Sequence, residues 1–126
     1  METDLITVRE EDILEFVAEM MDWRKIRYIP VEDIKGYLTG LVTSRMLLRQ
    51  LVKHQRLPKN TPTRVGDIME KKPITITTET LIEDAIKIMA ERQIGCLPVV
   101  NGKELVGIVT ASDFMKLAGR LISRSN

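Results

Sequence analysis

The sequence predicts an α/β (α+β) protein: two β-α-β-β-α repeats packed sheet to sheet with pseudo-twofold symmetry. Three observations carry this. Shifting the chain by 68 lays METDLITVREEDILE over MEKKPITITTETLIE. Eleven positions of 1–33 are then repeated in 69–101: Met1, Glu2, Ile6, Thr7, Glu11, Glu15, Met21, Arg24, Ile26, Pro30 and Val31. Such self-similarity is the mark of a duplicated structural unit. Within each copy, short β-branched runs alternate with segments of helical spacing. Finally, a unit of roughly 60 residues leaves much of its apolar surface uncovered, so a pair packed together is expected.

The elements follow in order. ITV (6–8) and ITI (74–76) read as first strands. Asp12 and Thr80 each stand three residues before a glutamate, Glu15 and Glu83, which predicts capped helix starts. Behind them Ile13, Leu14, Val17, Met20 and Met21, and Leu81, Ile82, Ala85, Ile86 and Met89, fall at helical spacing as core faces. Two strands follow in each copy, IRYIPV and GYLTGLV, then CLPVV and ELVGIV, with NGKE (101–104) as a turn. One residue drops out near Ile34, so that GLVT meets GIVT. SRMLLRQLVKH and ASDFMKLAGRLI close the copies as helices. The expected division is repeat one at 1–54, lacking its lead-in, a polar two-proline linker at 55–63, and repeat two at 64–126.

Bulk properties narrow the class. Nineteen basic residues against 18 acidic argue against a nucleic-acid footprint, and no apolar run approaches a bilayer span. One cysteine, Cys96, and no basic leader predict a cytoplasmic protein without an intramolecular disulfide. Charge is uneven: residues 1–22 hold eight acids and one base, residues 24–56 eight bases and two acids. Either a binding surface or mutually paired, solvated helix faces would produce that.

Taken together, Met-x(4)-Ile-Thr-[Val/Ile], a capped amphipathic helix, Ile-x-x-[Ile/Leu]-Pro-Val and Gly-[Leu/Ile]-Val-Thr resemble the CBS domain, the cystathionine-β-synthase-type repeat found in pairs called Bateman modules. The resemblance covers nearly the whole chain and is stronger in copy two, through VGDIM, ITI, IGCLPVV and GIVTASD. VGDI precedes Met69 but nothing precedes Met1, so a piece of a longer protein is expected. The stretch MDWRKIRYIPVED (21–33) resembles CBS pairs appended to carboxylate–amine ligases of the glutamate–cysteine ligase type.

The resemblance implies regulation rather than catalysis, by an adenosine-containing ligand in clefts between the repeats. No cofactor is obligatory; AMP, ADP, ATP or S-adenosylmethionine would be the regulatory ligand, and a homodimer and a fused or partner effector domain are implied. Carried over position by position, cleft A takes Ile6, Ile26, Arg27 and Pro30 from copy one and Ile108, Thr110, Ser112 and Asp113 from copy two. Cleft B takes Leu41, Thr43 and Arg45 with Ile74, Ile94, Gly95 and Pro98, and is degenerate because Met46 stands where Asp113 would recur. Physically, Thr110 opens a helix whose free N–H groups attract phosphate, Arg27 could reach one, and an aspartate one turn in could accept both ribose hydroxyls.

Each residue also has a purely structural reading. Thr110-x-x-Asp113 is a capping-box arrangement, and Thr43 and Thr110 are equally good caps. Cys96, placed beside cleft B, reads as core filler. His54 reads as a surface residue, and Trp23 as a cover for the core or an interface. A ligand-free dimerisation module is therefore the alternative function. No Ser/His/Asp, Cys/His or paired-carboxylate set can be assembled, so no enzyme is expected, nor any metal site.

Overall fold

The computed structural model describes residues 5–54 and 62–125, of which 54 and 121–125 are described by backbone alone. Most of the expected linker, the lead residues Met1 and Glu2, and the His54 side chain lie outside the described residues. The chain divides into two compact bodies, one spanning Ile6–Pro73 and the other running from Ile74 to the C-terminus together with residues 1–5.

In the first body, Val8 makes a single parallel bridge to Val31, with its N–H donating to Pro30 O and its carbonyl accepting from Glu32 N. The expected strand 6–8 is thus reduced to one bridge. Helix α1 (Leu14–Arg24) follows, then β1 (Tyr28–Glu32) and β2 (Leu38–Thr43) as an antiparallel pair, then α2 (Ser44–His54). A short helix, α3 (Val65–Ile68), completes the body. The second body has β3 (Ile76–Thr77), α4 (Ile82–Arg92), β4 (Cys96–Asn101), β5 (Glu104–Thr110) and α5 (Ala111–Ser125). Its sheet order is β3-β4-β5, with β3 parallel and β5 antiparallel to β4. The duplication extends to detail: the ladders slip register between Val31 and Glu32 and between Val99 and Val100.

The core of copy one follows the expected apolar spacing, but that of copy two follows it only in part: Leu81, Ile82 and Ile86 are exposed, at 63%, 53% and 40%, because the face of α4 turned to the sheet is that of Ala85, Ile88 and Met89. Val17 and Met21 of α1 pack with Val8, Ile29, Val31 and Val42 in the first body. Ala85 and Met89 of α4 pack with Ile76, Leu97 and Val99 in the second. Met21 and Met89 are thus core residues, as their spacing predicts.

The helix starts differ from expectation. Neither Asp12 nor Thr80 caps a helix; the N-cap residues are Ile13 and Leu81, without side-chain caps. Asp12 instead accepts the Arg9 N–H at 2.8 Å, and Thr80 the Thr77 N–H at 3.0 Å. Each closes the turn before its helix, because a short polar side chain can bond backwards to the chain as readily as forwards. Glu15 and Glu83 remain in the first turns, where the helix dipole favours negative charge. Both helices end on a left-handed residue that is not glycine, Lys25 (φ 55°) and Gln93 (φ 54°), followed by Ile26 and Ile94 whose N–H groups donate to Met21 O and Met89 O.

Residues 63–70 belong to the first body, although the repeat places 64–70 at the head of copy two. Leu14 N–H donates to Thr63 O, Val65 N–H to Asp12 O and Gly66 N–H to Glu10 O. Val65 and Met69 are buried in the copy-one core, and Glu70 closes an antiparallel bridge with Leu41 through two hydrogen bonds, at 3.0 and 2.9 Å. The physical reason is β2: its outer edge would otherwise be left unpaired. The approach needs a glycine, since a Cβ on Gly40 would lie 2.6 Å from Met69 Sδ and 2.8 Å from Glu70 O.

Two stability outcomes follow. Gly40→Ala should destabilise by about 1–3 kcal/mol, because a backbone carbonyl cannot yield as a side-chain tip can, whereas Gly119→Ala, with open space around it in α5, should stabilise by up to about 1 kcal/mol. Urea denaturation measures both. Lys25→Gly and Gln93→Gly should each stabilise by about 0.5 kcal/mol, the left-handed penalty outweighing the extra chain entropy of glycine; thermal melts check it.

Candidate functional site

The sequence expectation centres on the turns where β2 enters α2 and β5 enters α5. In copy two, Cys96 lies opposite Thr110 across the β4–β5 pair, and Ala111 N–H donates to Gly95 O at 2.9 Å. Backbone N–H groups alternate along a strand, so the Thr110 N–H points away from β4 to the outer edge of β5. There Asp113 Oδ2 accepts it at 2.8 Å, and accepts the Thr110 hydroxyl at 3.2 Å. Both groups are half-buried. Asp113 is therefore a cap, as the structural reading has it. Only Oδ2 is used, however; Oδ1 receives no hydrogen bond among the described residues.

Copy one has the same backbone and the opposite polarity. Ser44 N–H donates to Arg27 O at 2.9 Å, matching the Ala111–Gly95 bond. Met46 has no side-chain acceptor, and Thr43 takes over: its Oγ1 accepts the Met46 N–H at 3.3 Å. The threonine hydroxyl is thus a donor to carboxylate in copy two and an acceptor from backbone in copy one. Replacing the aspartate with methionine leaves the helix start capped but removes the free carboxylate oxygen.

The other candidate positions fall as follows. On the first body Pro30 and Leu41 are buried register partners, Ile6 and Ile26 pack half-buried on the core, and Arg27 and Arg45 are exposed. On the second body Pro98 and Ile108 are the matching buried partners, Ile74 and Ile94 pack on the core, Gly95 is half-buried and Ser112 exposed. Within each body the hairpin carries candidates for both clefts, Pro30 opposite Leu41 and Pro98 opposite Ile108, while Ile6 and Ile74 lie on the segments that precede the first helix of each copy.

Cys96 is buried, the core filler that the sequence suggests. Its surroundings include Asp113, the residue assigned to cleft A. Burial, and secondarily the Asp113 charge, push its thiol up to about 12. It stays protonated, an inert small apolar residue under the Thr110–Asp113 turn. Cys96 pairs with Thr110 only because of the register slip between Val99 and Val100; counting evenly back from the 101–104 turn would have paired it with Val109. Sequence reading also missed the Thr7 hydroxyl, which donates to Glu32 Oε1 at 2.8 Å beside the Val8 bridge. Among the described residues no group of three or more His, Cys, Asp or Glu side chains could hold a metal, and no helix is long and apolar enough to cross a membrane.

Comparison with known proteins agrees with this architecture. The family model for the CBS domain matches residues 1–53 and 65–120. A CBS domain-containing protein of Dictyostelium discoideum is 32% identical over 126 residues, covering 93% of this chain and 86% of that one. In a longer relative, an inosine-5′-monophosphate dehydrogenase of Korarchaeum cryptofilum, 39% identical over 111 residues, the matched region is 87% of this chain and 21% of that protein. A CBS domain pair crystallised with 5′-methylthioadenosine and S-adenosyl-L-methionine superposes with a TM-score of 0.84 at 25% identity, covering 94% of this chain and 91% of that one. CBSX2 crystallised with AMP superposes with a TM-score of 0.81 at 28% identity, covering 94% and 90%. With the model matching twice, once on each copy, this chain belongs to the CBS domain family as a tandem pair.

Proposed function

We propose that this pair is a regulatory sensor of an adenosine-containing nucleotide, bound between the repeats and read out by a fused or partner domain. The observation that carries the reading is the half-used carboxylate of Asp113. Its Oδ2 holds the helix start, and its Oδ1 is free to accept from a ribose hydroxyl. In this reading Ile6, Ile26, Arg27 and Pro30 join Ile108, Thr110, Ser112 and Asp113 around the ligand, with aliphatic side chains against adenine, Asp113 on ribose, and Arg27 and the α5 N-terminus on phosphate. Support comes from the two solved relatives, one holding AMP and the other 5′-methylthioadenosine and S-adenosyl-L-methionine. The second cleft, Leu41, Thr43 and Arg45 with Ile74, Ile94, Gly95 and Pro98, has no equivalent carboxylate and would bind the same ligand weakly. The effector would respond only as far as the ligand prefers one arrangement of the pair over another. The resemblance of residues 21–33 to ligase-linked pairs names one candidate effector, a carboxylate–amine ligase.

A second reading has its own observation. Leu48, Leu51 and Val52 on α2, and Trp23 on α1, expose large apolar side chains. These favour an interaction module whose partner is another copy of the chain.

Isothermal titration with AMP, ADP, ATP and S-adenosylmethionine separates the two. The first reading expects one ligand per chain and, for Asp113→Asn, an affinity lower by about 10–100-fold, the worth of a hydrogen bond to a charged group. Asparagine keeps one acceptor oxygen for the Thr110 N–H, so its melting temperature without ligand should stay near that of wild type. Saturating ligand should raise the wild-type melting temperature, through about 2.7 kcal/mol at a hundred times Kd. No heat with any of the four removes the sensor reading.

A further inference from the structure

We infer that Glu32 reads the base of the bound nucleotide, its free carboxylate oxygen accepting from the exocyclic amine of adenine, so that 6-amino purines are selected over 6-oxo purines. The inference rests on the sensor reading above and adds to it a side chain that sets the choice of ligand.

The argument starts from the backbone of the first body. Along β1, Ile29 and Val31 belong to the core with α1. Successive strand residues face opposite ways, so Pro30 and Glu32 share the other face. The slip in the ladder leaves this alternation on β1 intact. Val31 partners Gly40 and Glu32 partners Leu38, so the extra residue, Thr39, is on β2. Val8, the bridge partner of Val31, is also in the core, which turns its neighbour Thr7 to the face of Pro30 and Glu32. There Thr7 and Glu32 meet, both half-buried, the hydroxyl donating to Oε1 at 2.8 Å. That bond fixes one carboxylate oxygen. The other, Oε2, receives no hydrogen bond and no paired cation among the described residues.

Folding does not ask for this carboxylate. In copy two the same strand position, directly past the same register slip, is Val100, likewise half-buried, while the threonine recurs as Thr75. A half-buried carboxylate gives up part of its hydration, and one hydroxyl replaces only part of what is lost. A donor from outside the chain completes it.

The place of Glu32 says which donor. It stands two residues beyond Pro30 and holds the neighbour of Ile6, and Ile6 and Pro30 are among the aliphatic side chains assigned to adenine. A purine lying on that apolar surface turns its polar edge to the rim. In adenine the edge carries an amine at position 6, a donor to carboxylate; in hypoxanthine and guanine the same position is a carbonyl oxygen, which a carboxylate repels. The two copies then diverge in step. In the sensor reading Asp113 of copy two and Glu32 of copy one belong to one cleft, and the matching residues of the other are Met46 and Val100. One cleft has a reader for the ribose and a reader for the base; the other has neither.

The test is isothermal titration of the whole chain with AMP, IMP and S-adenosylmethionine, on wild type and on Glu32→Gln. AMP and IMP share ribose and phosphate and differ at position 6 of the base. Wild type should bind AMP at least about tenfold more tightly than IMP, the worth of a hydrogen bond to a charged group. Glu32→Gln should weaken AMP and S-adenosylmethionine by about tenfold and bring the AMP-to-IMP affinity ratio close to one, since its amide offers both a donor and an acceptor. The same amide keeps an acceptor for the Thr7 hydroxyl, and the melting temperature without ligand verifies the fold. Asp113→Asn is the control: it should weaken AMP and IMP alike, through the ribose they share, and leave their ratio unchanged. A wild type that binds no adenine ligand overturns the sensor reading and this inference with it. A wild type that binds IMP as tightly as AMP, or a folded Glu32→Gln that binds its adenine ligand as tightly as wild type, overturns the base contact and leaves the sensor standing.

Discussion

Leu41 on β2 presents an N–H and a C=O to the outer edge of a two-stranded sheet, and Glu70 takes both. Much of the first body depends on that closure. A two-stranded ribbon is marginal by itself, and an open edge invites pairing with another chain. Residues 63–70 supply the missing pairing and two core side chains, Val65 and Met69. Gly40 permits the approach, and Thr63, Val65 and Gly66 lock the segment to the turn before α1. The copy-one core is complete only with residues that the repeat assigns to copy two.

The Thr43 and Thr110 turns show how one backbone can serve two chemistries. Both must hold a helix start directly after a strand, and both do so with a single side-chain hydrogen bond to backbone three residues away. Threonine can be either partner because its hydroxyl donates and accepts. Copy two spends that hydroxyl on Asp113 and keeps a carboxylate oxygen spare; copy one spends it on its own backbone. Divergence of the two copies thus removed a spare carboxylate oxygen while leaving each helix start with a side-chain hydrogen bond.

Periodicity and repetition made the strand–helix order, the hairpin register and the core methionines readable from sequence, because burial on one face leaves a direct trace in residue spacing. The family was readable from motifs spread over both copies. Three things were not. Asp12 and Thr80 looked like helix caps because the sequence spacing of a forward cap and a backward turn is similar, and only geometry separates them. Trp23 could have been core or interface, since a large aromatic suits either. The destination of residues 63–70 left no periodic trace, because docking a four-residue helix needs only two buried side chains and a few backbone bonds.

The repeat and the packed body are out of phase: the repeat assigns residues from 64 onward to copy two, while the first body runs on to Pro73. An ancestral single copy would have had no downstream neighbour to lend it the edge-closing segment. Such a molecule would have had to borrow that segment from another polypeptide, so duplication in one gene would have turned an exchange between molecules into a permanent internal loan.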